Sequence, residues 1–525
     1  MIKSTDGTHD ISVFVYFWMS IFILPIPLMF LLHTNLGIRN FNYFWALISV
    51  TWLWFNRKLI IQNKISIKQQ TIIHFLWITL FSFCFSLSSK FLGYHLHAYD
   101  FGIFQNMIDN IINKNIGYSS VVGFYHFSTH QNYILFLIVP FYYIFHSALT
   151  LQIIAATTIW LTLLVIYFIA KEYKLNTFII FMITLSYSIS PLNGLDNDFM
   201  PETFMPLFYA AMFLFYKRKQ YLLAAIFFGL SLLTKEDAIL YTVGFGALSI
   251  YDKKYTFAAF IIACSLIFGY INLEIVQPYF VAKSNMINPT TIAYWSQWGQ
   301  SKHEIAMNMI HNPDKVFYSI FNTTSGIYRL YLPFLFLTII IPEVIFPSIL
   351  TILMAATCNA LAFHGYKNYY GMTLNLINYI GIIIIFSHLN ENLNKLKKLL
   401  FYFMTLMLFI FPLISGGYQP FYYFNLDYIK SIHRLVNIVE NNYKNNKLCL
   451  QDNLSPILRP YDFIIPPEKC CNNEFLFNSK SCTIVLTTYG KPAPSWLKPD
   501  SPELKYLKCK RYEGFLFCDR SVTVK

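Results

Sequence analysis

The chain has 525 residues, 56% of them hydrophobic and 12% charged, with a mean hydropathy of +0.46. A soluble protein of this size carries about a quarter charged residues, so a soluble globular enzyme is excluded. The net charge of +13 invites a nucleic-acid reading, but most Lys and Arg outside the tail sit in short loops between apolar runs, where they set membrane orientation; no nucleic acid is implied.

Apolar runs near the roughly 20 residues of a membrane-crossing helix recur along the chain. Hydropathy predicts about 13 spans: 11–33, 41–56, 71–92, 149–170, 175–192, 203–216, 220–234, 238–251, 255–275, 328–345, 347–363, 369–388 and 399–415. The first is too long for the apolar region of a cleavable signal peptide and lacks a small-residue cleavage site. The basic stretches at 56–70, 171–174, 217–219, 252–254 and 394–398 all fall on the cytoplasmic side if the N-terminus is inside. The loops at 93–148, 193–202, 235–237 and 276–327 then face outward, as does everything after 416. Residues 132–147 are apolar enough to cross, but a full crossing would turn KEYK (171–174) outward; with Pro140 breaking the run, it reads as re-entrant or interfacial.

After 416 the chain becomes polar and dotted with proline, with strand-like runs KLCLQD (447–452), CTIVLTT (482–488) and EGFLFCD (513–519). Such runs predict a small α/β domain. Six of the nine cysteines lie there, an even number compatible with disulfides outside the cell membrane. Their spacing matches no zinc pattern, and Cys84, Cys264 and Cys358 in apolar spans read as packing residues. The expected fold is an all-α polytopic membrane protein with an extracytoplasmic α/β tail. An additional hairpin (1–70) precedes the membrane core (71–415, with outer loop 93–148), and the tail covers 416–525.

The polar residues gather on the outward side: Asp100, His126 and His130, then Asp196, Asp198 and Glu202, then Lys235, Glu236 and Asp237, then the FHGYKNYYG segment (363–371) with His364, Tyr369 and Tyr370. Ionisable residues at membrane depth are costly and mark function. Each also has a duller reading. Asp100 precedes FGIFQNMIDNII, whose apolar residues recur at helical spacing, so it suits an N-cap as well as a catalytic acid. That helix reads as amphipathic and interfacial. Glu202 follows Pro201 and suits a helix N-terminus. KED (235–237) suits a solvated hairpin tip, and a lone histidine is more often structural. Convergence on one side is what favours an outward polar cavity.

The stretches YDFGIFQNMIDN (99–110), HFSTHQNYILFLIVPFYYIF (126–145), ISPLNGLDNDFMPETFMPLFYAAMF (189–213), LLTKEDAILYTVGFG (232–246) and AFHGYKNYYGMTL (362–374), in that order, resemble a bacterial family of predicted membrane proteins, domain of unknown function 2079. The likeness runs from about 90 to 480 and includes LQDNLSPILRPYDFIIPP (450–467). Met200 stands where that family usually has a histidine before Pro-Glu. The family's layout is similar to that of the C-fold (GT-C) glycosyltransferases, with an acid in the first outer loop, many spans and an outer C-terminal domain.

The resemblance implies an inverting, integral-membrane glycosyltransferase of the bacterial cytoplasmic membrane. Its donor would be a sugar on a polyprenyl phosphate in the outer leaflet, its acceptor an unidentified molecule outside. Asp100 is then the expected base. Lys235, His364 and Arg329 are the expected phosphate ligands, although snorkelling also accounts for Arg329. His126, His130, Asp198, Glu202, Glu236, Asp237, Tyr369 and Tyr370 would shape the site or hold the acceptor. YWSQWG (294–299) suits an interfacial belt, sugar stacking or a lid. Some proteins of this layout need a divalent metal and others do not; no cofactor is certain and the metal stays open. A polytopic transporter or lipid flippase is the alternative, against which the acids at span ends and the lack of an internal repeat weigh.

Overall fold

The computed structural model describes residues 2–3, 9–27, 38–62, 65–96, 101–285, 290–321, 324–359, 361–366, 368–391, 395–414, 426–443, 447–450, 454, 456–458, 463–464, 482–487, 508–512 and 515–519. The chain is mostly helical. Among the described residues four helices are long and apolar enough to cross a membrane: Gln69–Leu92, Ala148–Glu172, Tyr255–Lys283 and Met372–Leu389. Eight further apolar helices have 10–17 residues. The apolar helices among the described residues are thus a mixture of long and short ones.

The clearest departure is at 328–345. No continuous helix forms there. Thr324–Tyr331 is followed by short 3-10 turns at Leu332–Phe334 and Leu337–Ile340. Between them Leu335 and Phe336 take φ of 53° and 59°, a left-handed conformation that stops a right-handed helix and that residues with a Cβ rarely adopt. The next helix runs Pro342–Thr357 rather than 347–363, and Leu361–His364 is a separate short piece. Leu135–Ile144 contains Pro140 and has ten residues, a rise of about 15 Å, about half the hydrocarbon thickness of a bilayer.

The helices pack as a bundle. The 69–92 helix lies on 148–172, which also contacts Phe204–Lys217; Tyr221–Leu232 lies on 204–217, and Ala238–Tyr251 packs against both Tyr255–Tyr270 and 342–357. Gly244 permits the last approach, because a Cβ there would overlap the Phe346 carbonyl. The 372–391 helix is central, with Leu374, Leu376, Ile377, Ile380, Ile382 and Ile383 all buried. A helix apolar all round belongs in such a position. At the rim, Leu222, Ile226, Phe260, Leu266 and Ile267 are exposed, as lipid-facing side chains are.

Two helices run between the charged clusters at the two ends of the bundle. The 204–217 helix starts just after Glu202 and ends at Lys217. The 238–251 helix starts after Asp237 and ends before Asp252. Each has 14 residues, a rise of about 21 Å. At the far end the basic loops meet one another. Lys217 Nζ lies 3.0 Å from Glu343 Oε1 and 3.6 Å from Asp252 Oδ2, and Arg218 Nε lies 2.9 Å from Glu172 Oε2. The acidic loops gather at the near end.

Ile103–Ile112 was expected on the interface. Instead Phe104, Met107 and Ile108 are buried together with the polar Gln105 and Asn106. Gln105 Nε2 donates to the Tyr142 hydroxyl (3.1 Å), and Asn106 Oδ1 accepts from the Ser120 amide (2.7 Å). The helix packs against 135–144. In the tail, the amphipathic helix Leu426–Asn442 precedes a five-stranded sheet of order 463–464, 447–450, 482–487, 515–519, 508–512. The first two pairings are parallel and the last two antiparallel. The three strand-like runs of the sequence are strands here, and Cys509 and Cys518 form a disulfide across paired strands. Leu450, Val485 and Phe517 fill its core.

Candidate functional site

The near end of the bundle holds a buried ionic cluster. Pro201–Thr203 forms a 3-10 turn leading into the 204–217 helix, with proline at its first position. This delivers Glu202 inward, so Glu202 is not a solvated helix start. Its Oε1 lies 2.9 Å from Lys235 Nζ, and both side chains are almost fully buried. Glu202 Oε2 is buried without a hydrogen-bond partner among the described residues.

Lys235, Glu236 and Asp237 lie in the turn between two helices rather than on a helix. Alternation along the turn sends Lys235 and Asp237 into one cavity and Glu236 to another neighbour. A solvated hairpin tip is ruled out, since Lys235 is buried. The turn is clamped from outside. Asn132 Nδ2 donates to the Thr234 carbonyl (2.8 Å) and the Ile134 amide to the Leu233 carbonyl (2.7 Å). His130 Nδ1 lies 2.6 Å from Glu236 Oε1, and the Gln131 amide donates to Glu236 Oε2 at 3.3 Å. The 130–134 segment is thereby fastened to the KED turn.

The cavity is small, with about 20 Å³ open to the centre of a water molecule, room for roughly one water. Glu202, Lys235, Asp237, Tyr241, Tyr366 and Tyr370 line it with Phe363. Lys235 Nζ lies 5.5 Å from the Tyr370 ring centroid, within cation–π range. Burial pushes the Asp237 carboxyl up to about 6, Lys235 opposing and Glu236 and Glu202 adding to the shift. Burial would also raise Glu236, but His130 and Lys235 outweigh it and hold that carboxyl at about 2. His126 is driven down to about 3, first by burial and then by His130 beside it. Its ring meets His130 edge-on at 5.5 Å, and its Nε2 has no described partner.

The other expected site residues separate from this cavity. Asp100 lies outside the described residues, as does the side chain of Tyr369. Asp198 is 3.4 Å from Lys90 Nζ and does not line the chamber. His364 lines an adjoining groove, and its Nε2 bonds to the Cys358 carbonyl at 2.6 Å. Since a carbonyl only accepts, Nε2 donates this bond, which ties the His364 ring to the end of the 342–357 helix. Arg329 is half-buried, with Nη1 donating to the Gly365 carbonyl at 3.1 Å, so it anchors the 361–366 segment. Gly326 allows that contact, because a Cβ there would overlap the His364 carbonyl. Met200 is buried.

Lys90 was missed. It stands in the last turn of the 69–92 helix, fully buried, donating to the carbonyls of Asp196 (2.9 Å) and Asn197 (2.7 Å). It ties down the loop that carries Glu202. The signal was a lysine inside an apolar span, SLSSKFL (86–92), the kind of residue that membrane energetics singles out. Among the described residues no three His, Cys, Asp or Glu side chains are arranged to hold a metal ion.

The fold and this chamber define a polytopic helical membrane protein with a buried acid–lysine cluster at one end. The chain belongs to the DUF2079 family of predicted membrane proteins, whose profile matches residues 93–457. No curated protein matches it. Among solved structures, ArnT from Cupriavidus metallidurans, crystallised with undecaprenyl phosphate, is similar over 86% of this chain and 98% of that chain, with 9% identity and a TM-score of 0.44.

Proposed function

We propose that this protein is a membrane glycosyltransferase that moves a sugar from a polyprenyl-phosphate donor to an acceptor hydroxyl on the extracytoplasmic side of the membrane. The observation that carries the reading is the chamber where Glu202, Lys235, Asp237 and Tyr370, from three separate segments, meet around a water-sized space. Helices of about 21 Å are shorter than the roughly 30 Å hydrocarbon layer. A polar chamber at the ends of such helices suits a phosphate carried on a lipid.

The reaction is a single displacement. The acceptor oxygen bonds to the anomeric carbon, the bond from that carbon to the phosphate oxygen breaks, and the phosphate leaves with the electron pair. The acceptor proton passes to a carboxylate. Two carboxylates compete for that role: Asp100, from the resemblance, and Asp237, whose raised affinity for a proton makes it a stronger base than an ordinary aspartate. Lys235 turns from Glu202 to the charge building on the phosphate. Glu202 Oε2 receives the acceptor hydroxyl before attack. His130 holds Glu236 and, through it, the KED turn.

The test uses full-length protein in nanodiscs with radiolabelled sugars on undecaprenyl phosphate. Replacing the base by Asp→Asn at 100 or 237 is expected to lower transfer by about 100-fold or more with donor binding retained. Asn caps a helix about as well as Asp, so a loss in Asp100→Asn is a loss of base and not of a cap. Full transfer in both variants overturns the assignment. Movement of a fluorescent lipid across the bilayer, without sugar transfer, overturns the transferase reading in favour of a flippase.

A further inference from the structure

A second space adjoins the chamber. It is an open groove of about 570 Å³ between the Lys302–His311 and Pro313–Phe321 helices and the ends of the 342–357 and 361–364 helices, within the roughly 300–1,000 Å³ of small-ligand sites. We infer that this groove binds an uncharged saccharide, the acceptor of the proposed transfer; the acceptor role rests on that reading, the saccharide site does not.

The lining chooses the ligand class. Gln297, Asn308, Asn312 and Asn359 bring four carboxamides, Trp298 and Tyr318 bring two aromatic rings, and no carboxylate lines the groove among the described residues. Lys315 is the one lysine among the described residues of the lining, and it is exposed. An anionic ligand would call for several cations. A hydroxyl is donor and acceptor at once, and so is a carboxamide, while aromatic faces cover the C–H faces of a ring.

The floor is preset. Gln297 Nε2 and Trp298 Nε1 both donate to the Thr357 carbonyl, at 2.5 and 3.0 Å. Asn308 Nδ2 donates to the Trp298 carbonyl (2.6 Å) and Asn312 Nδ2 to the Asn308 carbonyl (2.7 Å). These bonds fix the amide planes and leave the side-chain oxygens of Gln297, Asn308 and Asn312 for ligand hydroxyls. His364 also lines the groove, its ring held by the Nε2 bond to the Cys358 carbonyl.

The groove is also where an acceptor must be. Neighbouring residues face the two spaces: Ala355 and Phe363 the chamber, Ala356 and His364 the groove. A saccharide lying along the groove is thus parted from the chamber by the 355–356 and 363–364 neighbours.

The test is saturation-transfer NMR on the full chain in nanodiscs, with an array of neutral oligosaccharides that includes maltose, cellobiose and diacetylchitobiose, and with glucose 6-phosphate. Neutral sugars are expected to bind, with affinity falling at least 10-fold in the Tyr318→Ala/Asn312→Leu variant while its melting temperature and its binding of undecaprenyl phosphate stay unchanged. Tyr318 is exposed, so its loss does not threaten folding. No binding across the neutral array, equal binding by the variant, or binding of the phosphorylated sugar alone overturns the inference. Displacement of the bound saccharide by undecaprenyl-phosphate-linked sugar overturns the acceptor role and gives the groove to the donor. Failure of the transferase reading is distinguishable: no donor is then turned over by the unaltered protein, while neutral saccharides still bind it and the Tyr318→Ala/Asn312→Leu variant still loses them.

Discussion

The two ends of the 204–217 and 238–251 helices use the same residue types to different effect. At the basic end, Lys217 serves two carboxylates and Arg218 one, with every partner partly open to solvent. At the acidic end, Lys235 and Glu202 are shut away from solvent, Asp237 lines the same cavity, and one Glu202 oxygen is buried with no hydrogen-bond partner among the described residues. Exposed pairs of the first kind orient and solvate a helix end at small energetic consequence. Buried charges with unfilled hydrogen-bonding capacity destabilise a fold, and a chain that keeps them does so where the unfilled capacity meets a ligand.

The largest expected contrast comes from Lys235→Met against Lys217→Met. Removing the buried cation takes from Glu202 its ion-pair partner, a loss of about 3–5 kcal/mol; the same change at the partly exposed Lys217 costs roughly 1 kcal/mol or less. Chemical denaturation in detergent reads both, and equal losses would break the contrast. Next comes Asp237→Asn. The folded carboxyl titrates at about 6 against an ordinary 3.8, so the folded state holds its proton more tightly and loses stability as pH rises from 3.8 through 6. The variant is therefore expected to be at least as stable as the parent at pH 7 while losing transfer; destabilisation at pH 7 would assign Asp237 a structural task.

Glu236 has the opposite sign. Its folded carboxyl titrates at about 2 against an ordinary 4.5, so its contribution is complete above pH 4.5 and disappears as pH falls towards 2. Glu236→Gln should flatten that acid limb of a stability-versus-pH curve, and an unaltered limb would remove the His130–Glu236 pair as its cause. The smallest effect is Arg218→Ala, about 0.2–1 kcal/mol with unchanged transfer; a loss of activity there would mean that the basic end shares in the chemistry.

Much of this was legible because charge is scarce. In a chain with 12% charged residues, acids and lysines at the breaks between apolar runs are conspicuous, and Glu202, Lys235, Asp237 and Tyr370 do share one cavity. Strands of the tail were legible from β-branched and aromatic runs. Sequence alone did not separate His364 from Phe363, since adjacent residues of a short helix face different spaces. Hydropathy averages also passed over the left-handed Leu335–Phe336 step: Leu and Phe score as span residues whatever their φ. Lys90 was hidden for the converse reason, a single charge diluted by the apolar window around it.

Tyr94, buried at the end of the 69–92 helix, shares a hydrogen bond of 2.6 Å with Ser431, 337 residues further along the chain. At a synthesis rate of about 5–20 residues per second, roughly 20–70 s of translation separate the two partners. Until then the hydroxyl of Tyr94 waits without its mate, and this side of the molecule is unfinished. A nascent chain stalled ahead of Ser431 would be inserted but open there, and a protease added from that face would report when the closure happens.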